Sequence, residues 1–171
     1  MVNEKEYTFH SVSSNHTISA GFERMTTFTL GYGDYLGKAQ ISYRIGTSGS
    51  YTFLVNQYVE LQVPNGSDLY VRVAITDTAY DFVKWYVVEE YTTQDYNTAN
   101  ATIENNGNDC EVILVLNAVT FTIAATAGAG GTISPSGNVS VLRYKSQKFT
   151  VTANSGYRIK QILVDGVPIE L

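Results

Sequence analysis

Cysteine is all but missing from this chain of 171 residues: Cys110 stands alone, so no disulfide can form within it. Basic charge is also scarce. Eleven Lys and Arg face sixteen Asp and Glu, giving a net charge of −5 and a pI of about 4.9. No basic stripe interrupts that balance, which argues against a nucleic-acid partner. Long apolar runs are absent too. The stretch 111–123 is broken by Asn117, Thr120 and Thr122, far short of the ~20 apolar residues that cross a bilayer. No segment keeps a helical period.

Catalytic signatures are equally thin. There is no strained Gly-x-Ser-x-Gly elbow. Gly31-Tyr32-Gly33-Asp34-Tyr35 lacks the third glycine and the following helix of a phosphate cradle. No enzymatic activity and no cofactor are expected.

What the chain has in plenty is strand-forming residues. Thirteen Tyr and seven Phe accompany many Val and Thr, whose stiff or branched side chains fit a pleated, half-buried surface. A two-residue alternation recurs, as in Phe28-Leu30, Ile41-Tyr43-Ile45, Val59-Leu61-Val63, Tyr70-Arg72-Ala74, Val112-Leu114-Leu116 and Phe149-Val151-Ala153. Turn clusters separate these runs, among them Pro64-Asn65-Gly66-Ser67, Asn105-Asn106-Gly107 and Asp165-Gly166. Asn-Gly and Asp-Gly accept the positive φ of tight hairpins. The expectation is a mainly β protein with little helix.

Internal repetition gives the organisation. Ala101-Thr102-Ile103 lies over Tyr7-Thr8-Phe9, and without a gap Val112, Leu114 and Leu116 then fall on Ile18, Ala20 and Phe22. Each segment is followed by a similar strand, Thr26–Leu30 in one case and Val119–Ile123 in the other. Ser67–Ala74 matches Ser146–Ala153; Tyr80-Asp81-Phe82 then matches Tyr157-Arg158-Ile159, Trp85 lies over Ile162 and Val87 over Val164. The reading is one complete module over 24–118, preceded by the closing strands of a preceding or permuted module in 1–23 and followed by the opening part of another in 119–171.

The segment from Phe121 through Gly131, Pro135 and Val139, with Phe149–Ala153, Gly156-Tyr157, Ile159 and Ile162–Gly166, resembles the divergent internalin-type B repeat of bacterial surface proteins. The ending of that repeat is similar to Tyr7-Thr8-Phe9 and Thr17-Ile18-Ser19-Ala20-Gly21-Phe22. The resemblance covers 119–169 and 5–23 and is weaker between. It implies tandem β-grasp-like modules, extracellular, non-catalytic, and serving as a spacer, stalk or adhesin toward a host or cell-surface glycan or protein. Met1–Glu6 is polar and acidic, unlike a secretion signal, so a surface location makes this chain part of a longer protein. Opening strands without closers in 119–171, and closers without a module in 5–23, predict that the two pieces complete one another. They could meet within one chain, if the middle module brings the ends together, or between chains; a strand-swapped or head-to-tail homo-oligomer is the favoured form.

The alternative is a carbohydrate-binding module of a surface enzyme or glycan-uptake system. Trp85, Tyr86, Tyr91 and Tyr96 lie near Glu89, Glu90 and Asp95, and sugars stack on aromatic rings while hydrogen-bonding to carboxylates. Trp85, aligned with Ile162, reads as core, leaving Tyr86, Tyr91 and Tyr96 as the candidate ligand-binding residues. His10 and His16 flank a turn and read as exposed residues rather than metal ligands. Asp77, Asp81, Asp95 and Asp109 have no calcium-loop spacing. Cys110 opens an apolar strand and reads as a buried thiol. Gly130-Gly131 is expected to take backbone angles that side chains forbid.

Overall fold

The computed structural model describes residues 4–169, and among them there is no helix. Residues 1–3 and 170–171 of the expected modules lie outside the described residues. The first nine strands are β1 (Met25–Gly31), β2 (Ala39–Ile45), β3 (Thr52–Phe53), β4 (Tyr58–Pro64), β5 (Leu69–Ile75), β6 (Tyr80–Glu89), β7 (Thr93–Tyr96), β8 (Asn100–Ile103) and β9 (Cys110–Ala118). They form two sheets, of order β4-β1-β9-β6-β7 and β3-β2-β5-β8. Every pairing in them is antiparallel except β1 with β9, which run parallel from Phe28↔Cys110 to Gly31↔Ile113.

Alternation explains the stacking. β9 buries Cys110, Val112, Leu114 and Leu116 and turns Glu111 outward, because successive side chains of a strand point to opposite faces. Phe28 and Leu30 of β1, Ile41 of β2, Leu69 and Val71 of β5, and Trp85 and Val87 of β6 join them in one core shared by both sheets. Trp85 is fully buried, and its indole nitrogen donates to the Ala99 carbonyl at 3.3 Å. A bulge between Phe82 and Lys84 absorbs one residue of β6, so that Phe82 and Trp85 both pack toward the core. Where the resemblance implies a β-grasp-like module, residues 25–118 make two facing sheets.

Six strands follow: β10 (Thr120–Ala125), β11 (Gly131–Ser134), β12 (Gly137–Leu142), β13 (Thr150–Ala153), β14 (Ile162–Val164) and β15 (Val167–Ile169). They pair as β10–β12, β11–β13 and β14–β15, all antiparallel. β10 leaves β9 through Val119 alone, whose amide donates to the Ala79 carbonyl. Arg143, just past β12, seals this junction. Its guanidinium donates to the carbonyls of Thr78 (2.7 Å) and Tyr80 (3.3 Å) and grips the Asp81 carboxylate.

Two sequence readings change here. Tyr70-Arg72-Ala74 is the outward face of β5, whereas Leu69, Val71 and Val73 point inward; in β13 the less exposed positions are Val151 and Ala153. Laying Ser67–Ala74 over Ser146–Ala153 therefore sets an outer face on an inner one, since a slip of one residue exchanges the faces of a strand. Gly130 and Gly131 are not among the glycines with positive φ. Their need is space: a Cβ on Gly131 would lie 2.6 Å from the Thr152 carbonyl oxygen, and one on Gly130 would strike the Tyr157 ring. Residues 4–23 of the expected closing strands hold no strand and are exposed throughout, as is Arg24.

Candidate functional site

The three tyrosines singled out from the sequence do not share a face. Tyr96 stands opposite Trp85 in the β6–β7 ladder and packs against the core. Tyr86, one residue after the buried Trp85, turns outward opposite Asp95 and lies under the Lys84 ammonium, 5.0 Å from its ring centre. Tyr91 sits in the turn beyond β6, 87% exposed, its hydroxyl donating to Glu90 at 2.6 Å. That bond holds the Tyr91 phenol above its usual pKa, and burial raises that of Tyr96. A flat aromatic strip for a sugar ring needs neighbouring coplanar faces, and these rings point to opposite sides of a sheet.

The carboxylates are occupied separately. Asp95 pairs with Lys84 at 2.8 Å, Asp81 with Arg143, and Asp109 accepts the Thr27 amide at 2.7 Å. Asp77 accepts the Ala79 amide at 3.0 Å and lies 3.5 Å from Lys145 and 3.6 Å from Lys38. The Ala79 amide first, and then the Lys145 and Lys38 ammonium groups, hold its carboxyl below the ordinary value against some desolvation. Four acids, none sharing a partner with another, do not form an oxygen cage. His16 stacks on Phe9 at 5.2 Å, and both histidines are exposed. Cys110 is buried beside Glu89 and Asp109; desolvation first, then those two charges, push its thiol up to about 12. A thiol so far from ionising at neutral pH is not a nucleophile.

The sequence did not single out a cluster on the outer face of the β3-β2-β5-β8 sheet. Arg44 of β2 stands opposite Tyr70 of β5, and Arg72 opposite Ser42. The Arg72 guanidinium lies 3.8 Å from the Tyr51 ring centre; that of Arg44 lies 4.8 Å from Tyr70 and 5.1 Å from Tyr51. Among the described residues neither arginine forms an ion pair. The Arg44 Nε is buried without a hydrogen-bond partner. Two guanidiniums lying over tyrosine rings offer forked donors suited to a carboxylate or sulfate. The two-residue spacing of Tyr70 and Arg72 places them on one face of a strand, and only the pairing of β5 with β2 shows that this face is the outer one.

Residues 121–167 match the family model of the divergent InlB B-repeat domain. The match spans β10 through β15 to Val167 and stands on the segment whose glycines and turns carried the resemblance. No curated protein and no solved structure matches the chain. The B-repeat segment thus continues directly from β9 of the preceding sandwich, clasped to it by Arg143.

Proposed function

We propose that this chain is a non-catalytic part of a bacterial cell-surface protein, working outside the cell as a spacer that also carries an adhesive face. The B-repeat match over 121–167 carries the reading. The path of the chain supports the spacer role. Met25 lies level with a point three residues before Cys110, and β9 leaves at Ala118. Entry and exit are thus about 36 Å apart at ~3.3 Å per residue, so the module adds its own length to the reach of whatever it connects.

Adhesion rests on Arg44, Tyr51, Tyr70 and Arg72. An otherwise acidic chain displays there two cations without acidic partners, and a carboxylated or sulfated glycan supplies the missing anions while its rings lie on the tyrosines. Exposed Tyr91 favours a second, smaller glycan contact. Protease treatment of intact producing cells should release fragments of this chain; protection until lysis overturns the surface location. On an array of neutral and acidic glycans, binding should favour acidic members and fall about tenfold or more in Arg44→Ala/Arg72→Ala, the loss of one charge-assisted contact or more. Binding unchanged in that variant but lost in Tyr91→Ala moves the site to the β6–β7 turn.

A further inference from the structure

The six strands of 120–169 repeat the plan of the sandwich strand by strand. β10–β12 repeats β1–β4, and β11–β13 repeats β2–β5, each antiparallel. β14–β15 repeats β6–β7, with Ile162↔Ile169 standing where Trp85↔Tyr96 stands. Three strands of the plan have no counterpart among residues 119–169: the two-residue edge strand β3, and β8 and β9. β9 is the central strand of its sheet, parallel to β1 and antiparallel to β6. In its place the B-repeat segment has an open cleft of about 1160 Å³, bordered by Ile123, Val151, Ile159, Ile162 and Val164. The loss is visible residue by residue. Leu30 and Val87, which flank β9, are 0% and 3% exposed, whereas their counterparts Ile123 and Val164 are 41% and 53% exposed.

The sequence that matches β8 and β9 lies in the same chain, unpaired. Tyr7-Thr8-Phe9 corresponds to β8 and His16–Arg24 to β9, with connecting loops of equal length. Its apolar side chains face solvent, Ile18 at 69% and Phe22 at 96%. We propose that residues 16–24 of one copy insert as a strand between β10 and β14 of a second copy, with Tyr7–Phe9 of the donor following onto the free edge of β13. The β9 pairing gives the register. Ile18 comes level with Ile123 and Val164, as Val112 is with Leu30 and Val87; Ala20 meets Ile162 as Leu114 meets Trp85; Phe22 meets Ile159 as Leu116 meets Phe82. The inserted strand pairs open backbone edges and closes the apolar cleft.

The donor comes from another copy for a geometric reason. In this register Arg24 lies level with residue 129, about 33 Å beyond Val119 at ~3.3 Å per residue. Met25, bonded to Arg24, begins β1 about 36 Å away from Ala118 by the same rise, at the opposite end of the sandwich. No strand of β10–β15 packs along a strand of β1–β9, so the B-repeat segment does not fold back to bring the two ends together. Each copy therefore offers a strand at one end and a cleft at the other. Such a contact is heterologous and propagates into chains or closes into rings. It is independent of where the protein resides and of any glycan.

The test uses the full chain. Sedimentation across a wide concentration series should show mass rising in steps of one chain. Ile18→Asp/Phe22→Asp should remain at the mass of one chain, with buried Trp85 emission unchanged because the substitutions lie outside the sandwich. Mixing two single variants, Ile18→Cys and Val164→Cys, should give a disulfide-linked pair, since directly opposed strand residues meet the required Cα separation and buried Cys110 does not compete. One-chain mass at every concentration with no cross-link overturns the proposal, as does association that persists in the double aspartate variant. A linked single chain from Ile18→Cys/Val164→Cys in one molecule overturns the assignment to a second copy.

Discussion

Tyr32 shows how one side chain can tie two loops to a core. Its ring is buried, and its hydroxyl donates to the Leu54 carbonyl (2.8 Å) while accepting from the Ile41 amide (3.1 Å). Tyr32→Phe keeps the packing but strands a buried donor and a buried acceptor. A loss of about 1–3 kcal/mol is expected in chemical denaturation followed by Trp85 fluorescence. Cys110 gives a second prediction at this scale. With its thiol raised to about 12 by burial and neighbouring carboxylates, it should resist a thiol reagent at pH 8 in the folded protein and react fully once unfolded. Reaction at equal rates in both states contradicts the burial. The buried thiol and the core Trp85 were both legible in the sequence, because Cys110 opens an apolar alternating strand and Trp85 aligns with the apolar Ile162. The Arg44–Arg72 face was not. Tyr70-Arg72-Ala74 looks like an inward set as readily as an outward one when its other face, Leu69-Val71-Val73, is equally apolar; only pairing with β2 decides.

Among the strands, stability is unevenly spread. β9 is flanked on both sides and packed on one face by the whole core, while β11 has a single partner and exposes much of its surface. Leu114→Ala is expected to cost about 2–5 kcal/mol, the range for truncating a fully buried leucine. Ile133→Ala, from a half-buried site, should cost under about 1.5 kcal/mol, since little of the side chain leaves water there. Denaturation midpoints of the two variants, read by far-UV circular dichroism, check the contrast. The strands carrying a clear alternation, such as β2, β4, β9 and β13, were legible, while short ones such as β3 and β7 were not. The strand state of 4–24 was not legible, because a sequence suited to a central strand becomes one only where two neighbours receive it.

Over the whole chain, the junction between the sandwich and the B-repeat segment is a polar clasp. The Val119 amide donates to the Ala79 carbonyl while the Val119 carbonyl accepts from the Arg143 amide, and Asp77 faces both Lys38 and Lys145. Because the folded Asp77 carboxyl titrates below its ordinary value, its contribution is full above that value, near pH 4, and is lost as the pH falls through the folded one. Hydrogen-exchange protection of the Val119 amide, corrected for intrinsic rates, should therefore weaken below about pH 4. The same amide should lose protection at neutral pH in Arg143→Ala, while core amides of β9 keep theirs. A family match confined to 121–167 left the relation between the two halves to the strand plan, which the repeat register misplaced by one residue in β5.

The parallel contact of β1 with β9 has a mechanical consequence. The chain enters the sandwich on β1 and leaves on β9, and the four paired positions from Phe28↔Cys110 to Gly31↔Ile113 lie between the two exits. Tension applied through Arg24 and Val119 pulls these neighbours past one another along their length. Their hydrogen bonds, evenly spaced and slanted in a parallel ladder, then share the load and must yield together, whereas a hairpin pulled from its open end gives way one rung at a time. The sandwich should therefore rupture at a higher force when stretched from those two ends than when β6 and β7 are pulled apart from theirs, a difference that single-molecule extension measures directly.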